Sequence, residues 1–252
     1  MRAIVRRPSP ALRDCALTFL ERQPINFANA EAQHRAYVAA LRQLGVEVLE
    51  LDAEDQLPDS VFVEDTAIVL DELAVITRPG IATRQPETAS IDAALRRFRP
   101  LVTIEEPGTI EGGDVLRIGR TLFVGQTART NAEGTRQLAE AIADHGYDVV
   151  SVVPNGCLHL KSAVTYAGRE TVLLNPDWID VDLFARWQCI PVPPEEPSAA
   201  NVLLVNDTVH VAASAPATRR KLTALGFETA VLDTSEFEKA EAALTCLSLL
   251  FI

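Results

Sequence analysis

Apolar and polar positions along this chain follow a pattern that recurs. An apolar strand, a short polar turn and a second apolar strand ending in small or polar residues occur four times. The segments begin at Asp65 (DTAIVLDELAVITRPG), Asp114 (DVLRIGRTLFVGQTAR), Lys161 (KSAVTYAGRETVLLNP) and Ala200 (ANVLLVNDTVHVAASAP). Each predicts a β-hairpin. Their starts are separated by 49, 47 and 39 residues, and a fifth start falls at Cys246, a further 46 residues on. Only one strand, CLSLLFI, remains there before the chain ends. The N-terminal run RAIVRR (Arg2–Arg7) supplies the missing partner, so the fifth hairpin draws on both termini and an exposed sheet edge disappears.

Between hairpins the period changes from that of a strand to that of a helix, and then back. NAEAQHRAYVAALRQLG stops at Gly45 and leads into VEVLELD; TARTNAEGTRQLAEAIADHG stops at Gly146 and leads into YDVVSVVP; APATRRKLTALG stops at Gly226 and leads into FETAVLD. Fainter versions are PETASIDAALRRF before LVTIEE and PDWIDVDLFARW before CIPVP. The repeating unit is ββαβ. Five of them predict an α/β fold, a pseudo-symmetric five-bladed propeller with its helices outside, closed by the N- and C-terminal strands. PVPPEEP (Pro191–Pro197) reads as a loop, leaving residues 1–252 as one domain.

Composition narrows the function. No apolar run approaches the roughly 18 to 20 residues that span a bilayer, and the N-terminus shows no signal-peptide core. The expectation is a cytoplasmic protein without a membrane partner. Cys15, Cys157, Cys189 and Cys246 are scattered, which speaks against a disulfide framework or a structural zinc site and leaves room for a reactive thiol. A net charge of −12 argues against nucleic acid. It suits a cationic ligand, and equally a protein kept soluble by its charge.

The chemistry sits at one position of the repeat. Unit one begins with Glu64 and Asp65, unit two with Glu111-Gly-Gly-Asp114, unit three with His159-Leu-Lys161, unit four with Asn201 and unit five with Thr245-Cys246. Taken singly, each has an ordinary reading: a cysteine packed in a strand, a core histidine between leucines, a turn glutamate, a solvated strand end. Their shared register favours a common pocket at the centre. The remaining cysteines lack that register and read as packing residues. His34 and His145 read as surface positions on helices, and His210 as a strand residue outside the register.

A thiol there attacks as thiolate, a histidine protonates the leaving group and then activates water, and a carboxylate orients the histidine. The extra acids Asp59, Glu64 and Asp65 would repel a thiolate. Their presence makes sense if the ligand is a planar, permanently charged guanidinium.

The set PDSVFVED (Pro58–Asp65), ITRPG (Ile76–Gly80), EPGTIEGGD (Glu106–Asp114), ARTNAEG (Ala128–Gly134), HLK (His159–Lys161), AAN (Ala199–Asn201) and SEFEKAEAALTC (Ser235–Cys246) resembles the dimethylarginine dimethylaminohydrolase family of the guanidine-modifying superfamily, in family order over nearly the whole chain. The resemblance implies a five-bladed α/β propeller. It implies Cys246 as nucleophile, His159 as general acid and base, and Glu111 as the carboxylate beside it. Asp59, Glu64 and Asp65 match acids around the guanidinium, and Arg84 and Arg129 arginines that hold an α-carboxylate. Leu17 matches a residue of a mobile loop over the pocket, and Ala240 a backbone contact to substrate. One departure is Ala242-Ala243, where relatives often carry glycine, which implies a stiffer loop before the nucleophile.

The implied reaction releases methylamine or dimethylamine and leaves a Cys-bound thiouronium, which water converts to citrulline, with no metal or cofactor. Relatives suggest a homodimer. The alternatives are hydrolases of another guanidino compound, such as arginine deiminases or agmatine deiminases, an amidinotransferase, and a non-catalytic binding protein on the same propeller.

Overall fold

The computed structural model describes residues 1–252. Its strands form five three-stranded sheets of one design. In each, an inner strand pairs antiparallel with a middle strand, which pairs parallel with an outer one. The first four are β3 (Ala67–Val69), β4 (Ala74–Ile76) and β5 (Leu101–Thr103); β6 (Val115–Ile118), β7 (Thr121–Gly125) and β8 (Asp148–Val152); β9 (Val164–Gly168), β10 (Thr171–Leu174) and β11 (Gln188–Pro191); and β12 (Leu203–Val205), β13 (Thr208–Ala212) and β14 (Glu228–Leu232). The fifth joins the ends of the chain. β15 (Leu249–Phe251) runs antiparallel to β1 (Arg2–Arg6), with Arg2 opposite Phe251, and β1 runs parallel to β2 (Glu47–Leu51).

Helices make the parallel crossovers. α1 (Phe27–Gln43) starts where the Asn26 side chain accepts from the Asn29 amide, and the chain leaves it through Gly45 at φ +79°. α3 (Ala132–Ile142) is likewise capped, by Asn131, and leaves through Gly146, whereas α2 (Thr88–Leu95) has no side-chain cap. α4 (Leu160–Ala163) is a single turn, and α5 (Pro216–Ala224) is the crossover of unit four. The crossover of unit three differs from its expectation. PDWIDVDLFARW forms only a 3-10 turn at Val181–Phe184, in a stretch where proline, three aspartates and β-branched residues disfavour a longer helix. His34 also departs from expectation. It is 1% exposed and shares the buried stripe of α1 with Ala30, Tyr37, Val38 and Leu41. Burial holds its imidazole down at about 4, and its Nε2 has no partner. His145 is half-buried in a 3-10 turn, and His210 is buried on β13.

The core is divided. One apolar cluster lies between units one and two (Ile68, Val75, Val115, Leu122), the next between two and three (Phe123, Val164, Phe184), the next between three and four (Leu173, Val202, Val209). The fourth packs Leu203 and Val205 against α1, Leu244 and Leu247, and the fifth joins Ile4 and Leu249 to Ala67 and Ile76. Along β7, Leu122 and Val124 face one cluster while Phe123 faces the next, so the period-2 alternation of a strand supplies two wedges at once. Cys15 lies inside one cluster and Cys157 and Cys189 against another, which agrees with a packing role; all four thiols are free.

Candidate active site

Every inner strand is entered through a short helical turn: Val63–Thr66, Gly112–Asp114, α4, Pro197–Ala200 and Leu244–Leu247. Neighbouring turns touch, which gathers Glu64 and Asp65, Glu111, His159, Asn201 and Cys246 from remote sequence. Glycines permit the approach. A Cβ on Gly112 would lie 1.9 Å from the Glu64 carbonyl oxygen, and one on Gly113 would meet the His159 ring at 2.6 Å and the Asp65 carboxylate at 2.8 Å.

Ala16, Asp59, Phe62, Asp65, Arg84, Arg129, Leu158, His159, Ala240, Glu241, Ala242 and Cys246 line one small pocket. His159 Nε2 lies 2.7 Å from Glu111 Oε2, and its Nδ1 lies 4.0 Å from Asp65. Burial alone would lower the histidine, but the carboxylates of Asp65, Asp114 and Glu111 prevail and lift it to about 9, so the imidazole is cationic at neutral pH. Burial, with Glu64 and Asp65 nearby, pushes the Cys246 thiol far above its ordinary range; an Ala243 amide donating to Sγ at 3.4 Å and Lys161 oppose this. The thiol is therefore a poor nucleophile until further positive charge arrives.

The two arginines expected to hold an α-carboxylate are woven among the acids. Arg84 is 4% exposed. It donates to Asp65 at 2.7 Å, to Glu87 through Nε and Nη2, and to the Phe62 carbonyl. Arg129 donates to Thr18 Oγ1 at 3.0 Å and to Glu111 at 3.5 Å. Glu111 also accepts from the Gly80 amide. Asp65, Glu111 and His159 offer atoms within 4.8 Å of one another, a spacing that suits a metal. Arg84 sits against both carboxylates and already supplies the balancing charge.

Two expected contacts fall elsewhere. Glu64 does not line this pocket. Its carboxylate turns away to the Lys161 ammonium and to Thr245 Oγ1 at 2.8 Å. Leu17 packs half-buried against the α1 cluster, and its neighbour Ala16 faces the pocket while its amide donates to Asp59. Ala240 lies on the wall of the pocket. In the following loop the left-handed residue is Glu241 (φ +58°), so Ala242 and Ala243 need no positive φ.

Glu87 and Glu241 escaped the sequence reading, and Asp114, marked there only by its place in the repeat, also takes part. Glu87 holds Arg84, and the three-residue spacing on one turn was the available signal. Asp114 accepts from the Leu160 amide and Thr127 and steadies the backbone beside His159. Glu241 accepts from the amides of Thr18, Phe19 and Leu20, tying the loop above the pocket to the loop that leads to Cys246. A larger cavity lies among the inner strands. Its wall is mostly apolar, with Ile68, Leu116 and Leu250 among the lining residues, and no cysteine or histidine borders it.

The sequence profile described as "N,N dimethylarginine dimethylhydrolase, eukaryotic" matches residues 18–183. The chain is 47% identical to an N(G),N(G)-dimethylarginine dimethylaminohydrolase of Streptomyces coelicolor, over 98% of this chain and 95% of that one. It is 37% identical to that of Pseudomonas aeruginosa, over 98% of both. The fold superposes with a TM-score of 0.95 and 36% identity on a cysteine-to-serine variant of the Pseudomonas enzyme complexed with citrulline, covering 99% of this chain and 98% of that one. A histidine-to-glycine dimethylarginine dimethylaminohydrolase, captured as an adduct with S-methyl-L-thiocitrulline, gives the same TM-score. The N-terminal domain of a cyanobacterial arginine dihydrolase shares the fold at 21% identity, with a TM-score of 0.89. By sequence along nearly its whole length, the chain belongs to the dimethylarginine dimethylaminohydrolase family.

Proposed function

We propose that this protein hydrolyses the guanidino carbon of Nω-methylated arginine, giving citrulline and methylamine or dimethylamine through a thiouronium on Cys246. The carrying observation is the pocket that Cys246 shares with cationic His159 and with Asp59 and Asp65. Its thiol is held protonated by burial and by nearby carboxylates, and a bound guanidinium supplies the positive charge that stabilises the thiolate.

As the guanidinium binds, the Cys246 thiol gives up its proton to solvent, because His159 is already protonated, and the thiolate sulfur bonds to the guanidinium carbon. The C–N bond to the methylated nitrogen breaks, and His159 passes its proton to the departing amine. The now neutral imidazole takes a proton from water, which attacks the thiouronium carbon, and citrulline leaves as the C–S bond breaks. Glu111, at 2.7 Å, orients the imidazole and favours its charged form. Arg129, with Arg84 beside it, receives the α-carboxylate. The same reading takes residues 1–252 as one domain and the five units as a closed propeller, supported by clusters that link unit one to two and onward, and five back to one.

The test compares kcat/KM for arginine, monomethylarginine and asymmetric dimethylarginine. The proposal expects citrulline release with a preference for the methylated substrates. A preference for arginine would make the protein a different guanidino hydrolase, and no release from any of them would favour a binding role.

A further inference from the structure

Beneath the nucleophile, on the side away from the pocket, four units meet in one polar network. The Glu64 carboxylate receives the Lys161 ammonium on Oε1 and the Thr245 hydroxyl on Oε2. Asn201 completes it. Its Nδ2 donates to Thr245 Oγ1 at 2.9 Å and to the Lys161 carbonyl at 3.1 Å, and its Oδ1 accepts from the Thr245 amide at 3.1 Å. From the other flank, the Tyr37 hydroxyl donates to the Leu244 carbonyl and lies 2.7 Å from Ser248 Oγ. The residue before Cys246 is thus held through both its backbone and its side chain.

Glu64, Lys161 and Thr245 all border the larger apolar cavity, whereas Cys246 borders the catalytic pocket. The Glu64 and Lys161 side chains are 8% and 15% exposed, so water screens the pair poorly. A bare carboxylate here would anchor Thr245 but add a negative charge next to the thiol.

We propose that Lys161 is a positioning residue for the nucleophile: its ammonium neutralises Glu64, so that this carboxylate clamps Thr245 without adding net charge beside Cys246. The inference rests on Cys246 being the nucleophile. It extends that reading to a pair that does not touch the substrate pocket.

The other charges facing Cys246 are Asp65 on the same turn as Glu64, and His159, Asp59, Arg84, Arg129 and Glu241 around the pocket, with the Tyr37 hydroxyl behind. They stay constant across substitutions of the pair, so a comparison isolates it. The experiment measures Cys246 alkylation by iodoacetamide against pH in the substrate-free protein, with the modified peptide identified by mass spectrometry. Lys161→Met leaves Glu64 uncompensated and is expected to raise the thiol pKa by about one unit, which slows alkylation about tenfold at fixed pH below the pKa. Glu64→Gln leaves the ammonium and is expected to lower it by a similar amount. The double variant, neutral at both positions, returns near the parent, and Lys161→Arg keeps the parental profile.

A merely structural role would move every variant the same way or none. An unchanged profile in the single variants, or a double variant that fails to return, overturns the proposal. Should Lys161→Met not fold, Glu64→Gln against the double variant decides by the same signs. Alkylation of Cys246 that leaves citrulline release intact would instead reject the thiol as nucleophile, which separates that failure from this one.

Discussion

Replacing Asp65 with asparagine should lower the His159 pKa, and the geometry sets the scale. Asp65 Oδ1 lies 4.0 Å from His159 Nδ1, and at that separation two unit charges interact by about 4 kcal/mol at an effective dielectric of about 20. At about 1.36 kcal/mol per unit, this is at most about three pKa units. Arg84, 2.7 Å from the same carboxylate, already spends part of that charge. The expected fall from about 9 is therefore about one to three units. Asparagine keeps an oxygen for the Gly113 amide, so the turn survives the change.

The sign follows from the direction of the shift. His159 is raised above its ordinary 6.5, so its contribution to stability is fully present below that value and is lost as pH rises through about 9. In Asp65→Asn the loss moves to lower pH, and so does the alkaline limb of kcat, because the imidazole must be protonated to release the amine. NMR titration of the imidazole C–H resonances in both proteins reads the pKa directly. A His159 titration that remains near 9 would refute the claim that Asp65 holds the imidazole charged.

Cys246→Ser should abolish turnover without lowering the melting temperature, because a serine hydroxyl is too weakly acidic to replace the thiolate; His159→Gly should accumulate a covalent adduct, visible by intact-protein mass spectrometry, with S-methyl-L-thiocitrulline, whose thiolate leaving group needs no proton, and not with dimethylarginine. Arg129→Ala should cost about 1.5 to 3 kcal/mol, roughly 10- to 150-fold in kcat/KM for dimethylarginine, yet little more for agmatine, which has no carboxylate; equal losses on both would remove Arg129 from the carboxylate site. Deleting Arg2–Arg6 removes the middle strand of a sheet together with Ala3, Ile4 and Val5, each at most 1% exposed. Burial of the last two alone stabilises by about 3 to 6 kcal/mol, against a typical total of about 5 to 15, so the melting temperature should fall sharply, and an unchanged value would refute the joining of the termini.

Much of the architecture was legible because its signals are local. The alternation in TLFVG and the stops at Gly45, Gly146 and Gly226 are properties of a few neighbouring residues, and their recurrence exposed the repeat. The repeat in turn marked Glu111, His159 and Cys246, since equivalent positions in equivalent units converge. The PDWIDVDLFARW crossover was misread because its apolar spacing mimics a helix while its polar residues favour a turn.

The direction in which each side chain leaves its turn belonged to the tertiary structure alone. Glu64 and Asp65 are adjacent in sequence, yet one reaches Lys161 beside the far cavity and the other reaches Arg84 and lies near His159 in the pocket. Thr245 and Cys246 divide in the same way. In a 3-10 turn of about three residues, successive side chains point about a third of a circle apart, so neighbours face different surroundings. Which of them meets the ligand depends on how the five turns lean together, and the contacts of Arg84 with Glu87 and of Glu241 with the loop above the pocket likewise arise only once those turns are packed.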